Sequence, residues 1–88
     1  MYYIITYDIA KPKRLVKTLK LLRQYLFWMQ NSVFEGELTE KKFAELKMNL
    51  KKIIKKDEDS VIFYKIRTKS VVSRSILGIT KNDDIYIL

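Results

Sequence analysis

An α+β fold, two helices laid on one face of an antiparallel sheet, is predicted by three features of this 88-residue sequence. Short runs of β-branched and aromatic residues alternate with two segments whose apolar residues recur every three or four positions. Pro, Gly, Thr or clustered acids stand where one element should give way to the next. The first run is apolar along most of both faces, so both faces need cover.

In that run Tyr3, Ile5, Tyr7 and Ile9 point one way, while Tyr2, Ile4, Thr6 and Asp8 point the other. The chain's own helices can cover one face. A second copy of the protein is expected on the other, which puts Asp8 at the rim of a subunit contact, facing its symmetry mate. Pro12 suits the first turn of a helix. Leu15, Leu19, Leu22 and Leu26 then mark an apolar stripe over about residues 12–25, with Lys13, Lys17, Lys20 and Gln24 on another face. Two short strands follow, Phe27–Gln30 and Ser32–Glu37, with Gly36 as a bulge or a point of close approach. Thr39 can cap a second helix, with Glu40 near its positive end, Phe43, Leu46, Leu50 and Ile53 as its buried stripe, and Lys55 and Lys56 at its C-terminal end.

Asp57-Glu58-Asp59 makes a turn into a strand over Val61–Ile66. Thr68 to Ser75 is polar and fits no one element, Ile76–Ile79 is a weak apolar piece, and Lys81–Asp84 is a turn. Ile85–Leu88 closes the chain as a short strand expected to join a sheet edge, its own or a partner's. The order is the ferredoxin-like βαββαβ plan with an additional short C-terminal strand, in a single domain spanning residues 1–88. That plan leaves one sheet face open, so a symmetric homodimer through the sheet face is expected.

Composition narrows the chemistry. There is no cysteine and no histidine, which removes disulfides, thiolate metal sites, zinc hydrolysis and Ser-His-Asp catalysis. No stretch approaches the roughly 18 apolar residues of a membrane span, and no charged region precedes the first apolar run, so a soluble cytoplasmic protein with no membrane association is expected. Net charge is +8, from 18 Lys and Arg against 10 Asp and Glu. Between Ile9 and Phe34 there is no acid, and Lys11, Lys13, Arg14, Lys17, Lys20 and Arg23 all fall there. Basic residues grouped in this way favour a phosphate backbone.

Tyr7-Asp8-Ile9 at the end of the first strand, Gln30 two residues before Ser32, the segment Ser32-Val33-Phe34-Glu35-Gly36-Glu37-Leu38 and Asp59-Ser60-Val61 opening a strand are similar to the small CRISPR-associated nuclease family, Cas-two. The likeness spans essentially the whole chain. It implies a symmetric ferredoxin-like dimer acting as a metal-dependent endonuclease on RNA or DNA. It also implies the bridging subunit of a spacer-acquisition complex in antiviral defence, flanked by the CRISPR integrase subunit, Cas-one, with double-stranded DNA lying across it. The family's metal-binding aspartate maps onto Asp8, its early helical basic positions onto Lys13 and Arg14, and its serine and phenylalanine onto Ser32 and Phe34. Many members carry an arginine where this chain has Trp28.

Magnesium, or another divalent cation, keeps several waters and takes one or two carboxylates together with phosphate oxygens. One Asp8 per subunit meets that need if a two-fold axis brings two together. Without a histidine or a second acid near Asp8 in sequence, cleavage should be slow and metal-dependent. Lys11, Lys13, Arg14 and Lys17, with Ser32 and Phe34, are the candidate nucleic-acid contacts. Each site residue also has a plain structural role open to it: Asp8 as a turn cap, Ser32 as a turn hydroxyl, Phe34 and Tyr7 as core. Two other functions stay open, a free-standing toxin-like endoribonuclease acting on single-stranded RNA and an RRM-type RNA-binding module without catalysis. The second lacks the Lys/Arg-Gly-aromatic pattern that such a sheet surface uses.

Overall fold

The computed structural model describes residues 1–67, 71–79 and 81. Six elements follow in the expected order: β1 (Tyr2–Asp8), α1 (Pro12–Arg23), β2 (Phe27–Gln30), β3 (Val33–Glu37), α2 (Glu40–Ile53) and β4 (Ser60–Ile66). The strands form one sheet in the order β2-β3-β1-β4, with every neighbouring pair antiparallel. This is the ferredoxin-like arrangement, with β1 in the interior of the sheet. The terminal strand expected at Ile85–Leu88 and most of the turn before it lie outside the described residues.

The alternation of β1 decides which face the helices take. Tyr3, Ile5 and Tyr7 are buried against Leu22 of α1 and Leu46 and Leu50 of α2, with Leu26, Phe34 and Leu38 completing the core. Tyr3 stacks on Phe43 at 4.3 Å between ring centroids, and Phe43 meets Phe63 edge-on at 5.3 Å. Burying such a set of apolar side chains, at roughly 1.5–3 kcal/mol each, is the main term holding the layers together. Thr39 caps α2 as expected, its hydroxyl accepting from the Lys42 amide at 3.1 Å, and Glu40 lies in the first turn.

Gly36 is a close-approach residue rather than a bulge. A Cβ there would stand 2.8 Å from Leu26 Cδ2. The irregularity of the hairpin lies instead between Trp28 and Gln30 on β2. Its tip is Asn31, whose φ of 38° is in the left-handed region that asparagine tolerates better than most residues.

Candidate functional site

β1 ends on Asp8, whose side chain shares the sheet face of Tyr2, Ile4 and Thr6, away from the helices. It pairs across from Ser60, the first residue of β4. Asp8 is exposed, and among the described residues no hydrogen bond or ion pair reaches its carboxylate. In the hairpin turn just before β3, Ser32 is also exposed, and its carbonyl accepts from the Tyr7 amide at 3.2 Å. Asp8 and Ser32 therefore lie at the same end of the sheet. The chain enters α1 just beyond, where Lys11, Lys13 and Lys17 are exposed.

Arg14, the fourth basic candidate, is engaged within the protein. Its Nε donates to Asp59 Oδ2 at 2.7 Å and its Nη2 to Asp59 Oδ1 at 3.1 Å, a two-pronged bond. Nη2 also reaches Glu58 Oε1 at 3.1 Å, and Lys55 Nζ donates to Glu58 Oε2 at 3.2 Å. Two backbone amides complete the cluster: Ala10 donates to Asp59 Oδ1 at 2.9 Å and Lys55 to Asp59 Oδ2 at 2.8 Å. The Asp59 side chain has 0 % exposure. The bonds from Arg14, helped by both backbone amides, hold its carboxyl well below the usual carboxylate range, although burial acts in the opposite direction.

The sequence placed Asp59 in a turn and gave it no partner. The missing signal was at the start of α1, where Lys11-Pro12-Lys13-Arg14 puts only cations at a helix end that favours acids. Lys11 makes no side-chain capping bond, and the first turn holds no acid. A helix entered in this way calls for an acid from elsewhere in the fold.

Of the two roles open to Phe34, the structure shows the core one. Its ring is fully buried and lies 6.0 Å from that of Tyr7, so it offers no surface for a base to stack on. Trp28, at the position where many members of the family that the chain resembles carry an arginine, is half-buried and donates from Nε1 to the Asn31 carbonyl at 3.1 Å. The Tyr7 hydroxyl donates to the same carbonyl at 3.1 Å. Together they tie the hairpin tip beside Ser32 to the strand that carries Asp8.

The face away from the helices divides in two. Over β2 and β3 the chain's own later segment returns, pairing Arg74 with the buried Glu35, which also accepts from the Tyr2 hydroxyl at 2.8 Å. Burial, and then this bond to Glu35, pushes the Tyr2 hydroxyl up to about 12. On β4, in register with Thr6 and Ile4 of β1, Ile62 is 47 % and Tyr64 51 % exposed. Asp8 stands at the rim of that apolar half. Glu35 was another residue that sequence reasoning missed. An acid set between Phe34 and Gly36, in the middle of the strand, was its one visible sign.

For a cation the donor set within one chain is thin. Among the described residues no group of three or more His, Cys, Asp or Glu stands ready to hold a metal ion. One carboxylate supplies only part of the oxygen shell that magnesium takes, so the residues of a single chain fall short of a complete site. Among the same residues no helix is long and apolar enough to cross a membrane.

The comparisons with known proteins agree on family and fold. The family model described as CRISPR associated protein Cas2 matches residues 1–74. The CRISPR-associated endoribonuclease Cas2 of Dictyoglomus turgidum is 51% identical over 88 residues, covering 100% of both chains. Its counterpart in Thermotoga maritima is 44% identical over 87 residues, covering 99% of each. Among solved structures, one described as the crystal structure of cas2 superposes with a TM-score of 0.86 at 43% identity, over 100% of this chain and 98% of its own. Streptococcus pyogenes Cas2 gives 0.75 at 35% identity, over 89% of this chain and 100% of its own.

Proposed function

Because the chain belongs to the CRISPR-associated Cas2 family, we propose that it is the bridging subunit of a cytoplasmic spacer-acquisition complex, a homodimer that binds duplex DNA beside the integrase subunit and retains a slow, metal-dependent endonuclease centred on Asp8. The observation that carries this reading is the exposed carboxylate of Asp8, without a partner among the described residues, at the end of an interior strand and at the rim of an apolar sheet face. Packing that half-face on its equivalent in a second copy would cover Ile62 and Tyr64 and bring two such carboxylates toward one axis.

In this reading the pair of Asp8 side chains holds the cation, since either alone supplies too few oxygens. Magnesium, when bound, supplies neutralisation of phosphate charge and a bound water of lowered pKa. Lys11, Lys13 and Lys17 attract and hold the polyanion as point charges, which gives backbone contact without base readout. The exposed Ser32 hydroxyl, which bonds to no side chain or backbone group among the described residues, would donate to a phosphate oxygen at the same end of the sheet. Duplex affinity should therefore fall steeply with salt and depend little on sequence.

The relatives' description as endoribonucleases favours a second reading, free-standing cleavage of single-stranded RNA. The Asp8→Asn variant separates the two. It should lower magnesium-dependent cleavage of RNA and DNA by more than about 100-fold, while leaving the dimer mass and duplex binding intact. Cleavage retained by that variant in a nuclease-free preparation would remove Asp8 from the chemistry. Loss of cleavage with duplex affinity weak and indifferent to salt would leave the endoribonuclease reading alone.

A further inference from the structure

Asp59 grips the chain on both sides of Asp8. Ala10, whose amide Asp59 Oδ1 accepts, lies just past Asp8 on the way into α1. Ser60, which follows Asp59 directly, is the cross-strand partner of Asp8 itself. The remaining bonds go to Arg14 in the first turn of α1, 45 positions from Asp59 along the chain, and to the Lys55 amide after α2. The two oxygens thus take four donors, about the number a carboxylate accommodates, in a site closed to water. α1 has no capping side chain of its own, so this contact is what fixes the path between the end of β1 and the helix.

We propose that Asp59 and Arg14 are a positioning pair that sets the backbone frame of Asp8 for cation binding, and that the Arg14 charge is occupied in this pair rather than offered to phosphate. The inference rests on reading Asp8 as the cation ligand. A carboxylate on a loose strand end can still bind a cation, but it must first be ordered, and that cost weakens the affinity. Supporting groups behind a metal ligand are commonly worth 10- to 100-fold in affinity.

The test uses the full-length protein and Mn2+ as the probe, followed through paramagnetic broadening of the Asp8 and Ile9 amide signals. Asp59→Asn is expected to raise the half-broadening concentration by about 10-fold or more and to abolish hydrogen-exchange protection at the Ala10 amide. Glu45→Gln, which removes an equal charge from the remote contact with Tyr25, should leave both unchanged. Should Asp59→Asn fail to fold, Arg14→Lys, which keeps the charge but not the fork, reads the same quantities. Alongside these, Arg14→Gln should leave the slope of log affinity against log salt for duplex DNA as in the wild type, whereas Lys13→Gln should reduce its magnitude by about 1.

Unaltered Mn2+ response with Ala10 protection lost would make Asp59 merely structural and overturn the proposal. So would a drop of about 1 in the Arg14→Gln slope, which would mark a phosphate contact. A wild-type protein whose Asp8 signals ignore Mn2+ would remove the cation reading of Asp8, and the positioning role with it. That failure shows in the unmutated chain, whereas failure of positioning alone shows only as a missing difference between variants.

Discussion

Asp8 and Asp59 stand at the same end of the sheet, one closing β1 and the other immediately before β4, and they have opposite surroundings. Asp59 takes four hydrogen bonds and is closed to solvent, whereas Asp8 is exposed and takes none among the described residues. The difference is one of geometry, not residue type. Asp59 sits where two free backbone amides and a guanidinium converge. Asp8 projects from the outward face of a strand whose amides are already paired. An acid surrounded by donors stabilises the fold, and an acid without them is available to a ligand.

The largest effect that would sharpen this contrast is on thermal stability. Asp59→Ala leaves Arg14 and the Ala10 and Lys55 amides without their acceptor and should lower Tm by more than about 10 °C. Asp8→Ala should move it by no more than about 3 °C. Thermal melts followed by circular dichroism would show both, and equal shifts would break the comparison.

A smaller effect lies in acid. The Asp59 pKa is lowered in the folded protein, so its contribution is fully present above the ordinary carboxylate range near pH 4 and is lost as pH falls through that range toward the folded value. Glu58, lowered by its bonds to Lys55 and Arg14, adds in the same direction. The Tm of the wild type should therefore fall between about pH 4 and pH 2, and that of Asp59→Asn about half as far. Parallel curves would assign the acid sensitivity to other groups.

The smallest effect concerns a polar group with the opposite problem. The Tyr3 hydroxyl is buried without a hydrogen-bond partner among the described residues, so Tyr3→Phe should leave stability unchanged or raise it by roughly 1 kcal/mol. Denaturant titration would read it. A clear loss would mean that the hydroxyl is satisfied in solution, by water or by another part of the chain.

How far the sequence could be read follows from the range of each signal. Period and capping are local, so the span of α1, the Thr39 cap and the position of Asp8 at a strand end were all legible. The partner of Arg14 lies 45 positions away, and no local pattern names it. Charge clustering therefore grouped Arg14 with Lys11, Lys13 and Lys17, although its environment is different. Strand alternation gave Phe34 and Gly36 a common face without saying which face met the helices. Only the packing of Leu26 against that face decides it, placing Phe34 in the core and leaving no room for a side chain at Gly36. The apolar character of β1 on both faces predicts cover from a second copy on the face away from the helices. The structure adds that residues near Arg74 return over part of the second face.

The hairpin tip limits how the length of this chain can vary. The Asn31 carbonyl receives both the Tyr7 hydroxyl and the Trp28 indole, so both of its lone pairs are in use at a residue already held in a left-handed conformation. An insertion or deletion between Trp28 and Ser32 would pull that oxygen off two anchors at once and displace the asparagine that tolerates the left-handed φ. Changes in chain length should therefore be refused at this corner, because the oxygen that anchors it has two fixed donors.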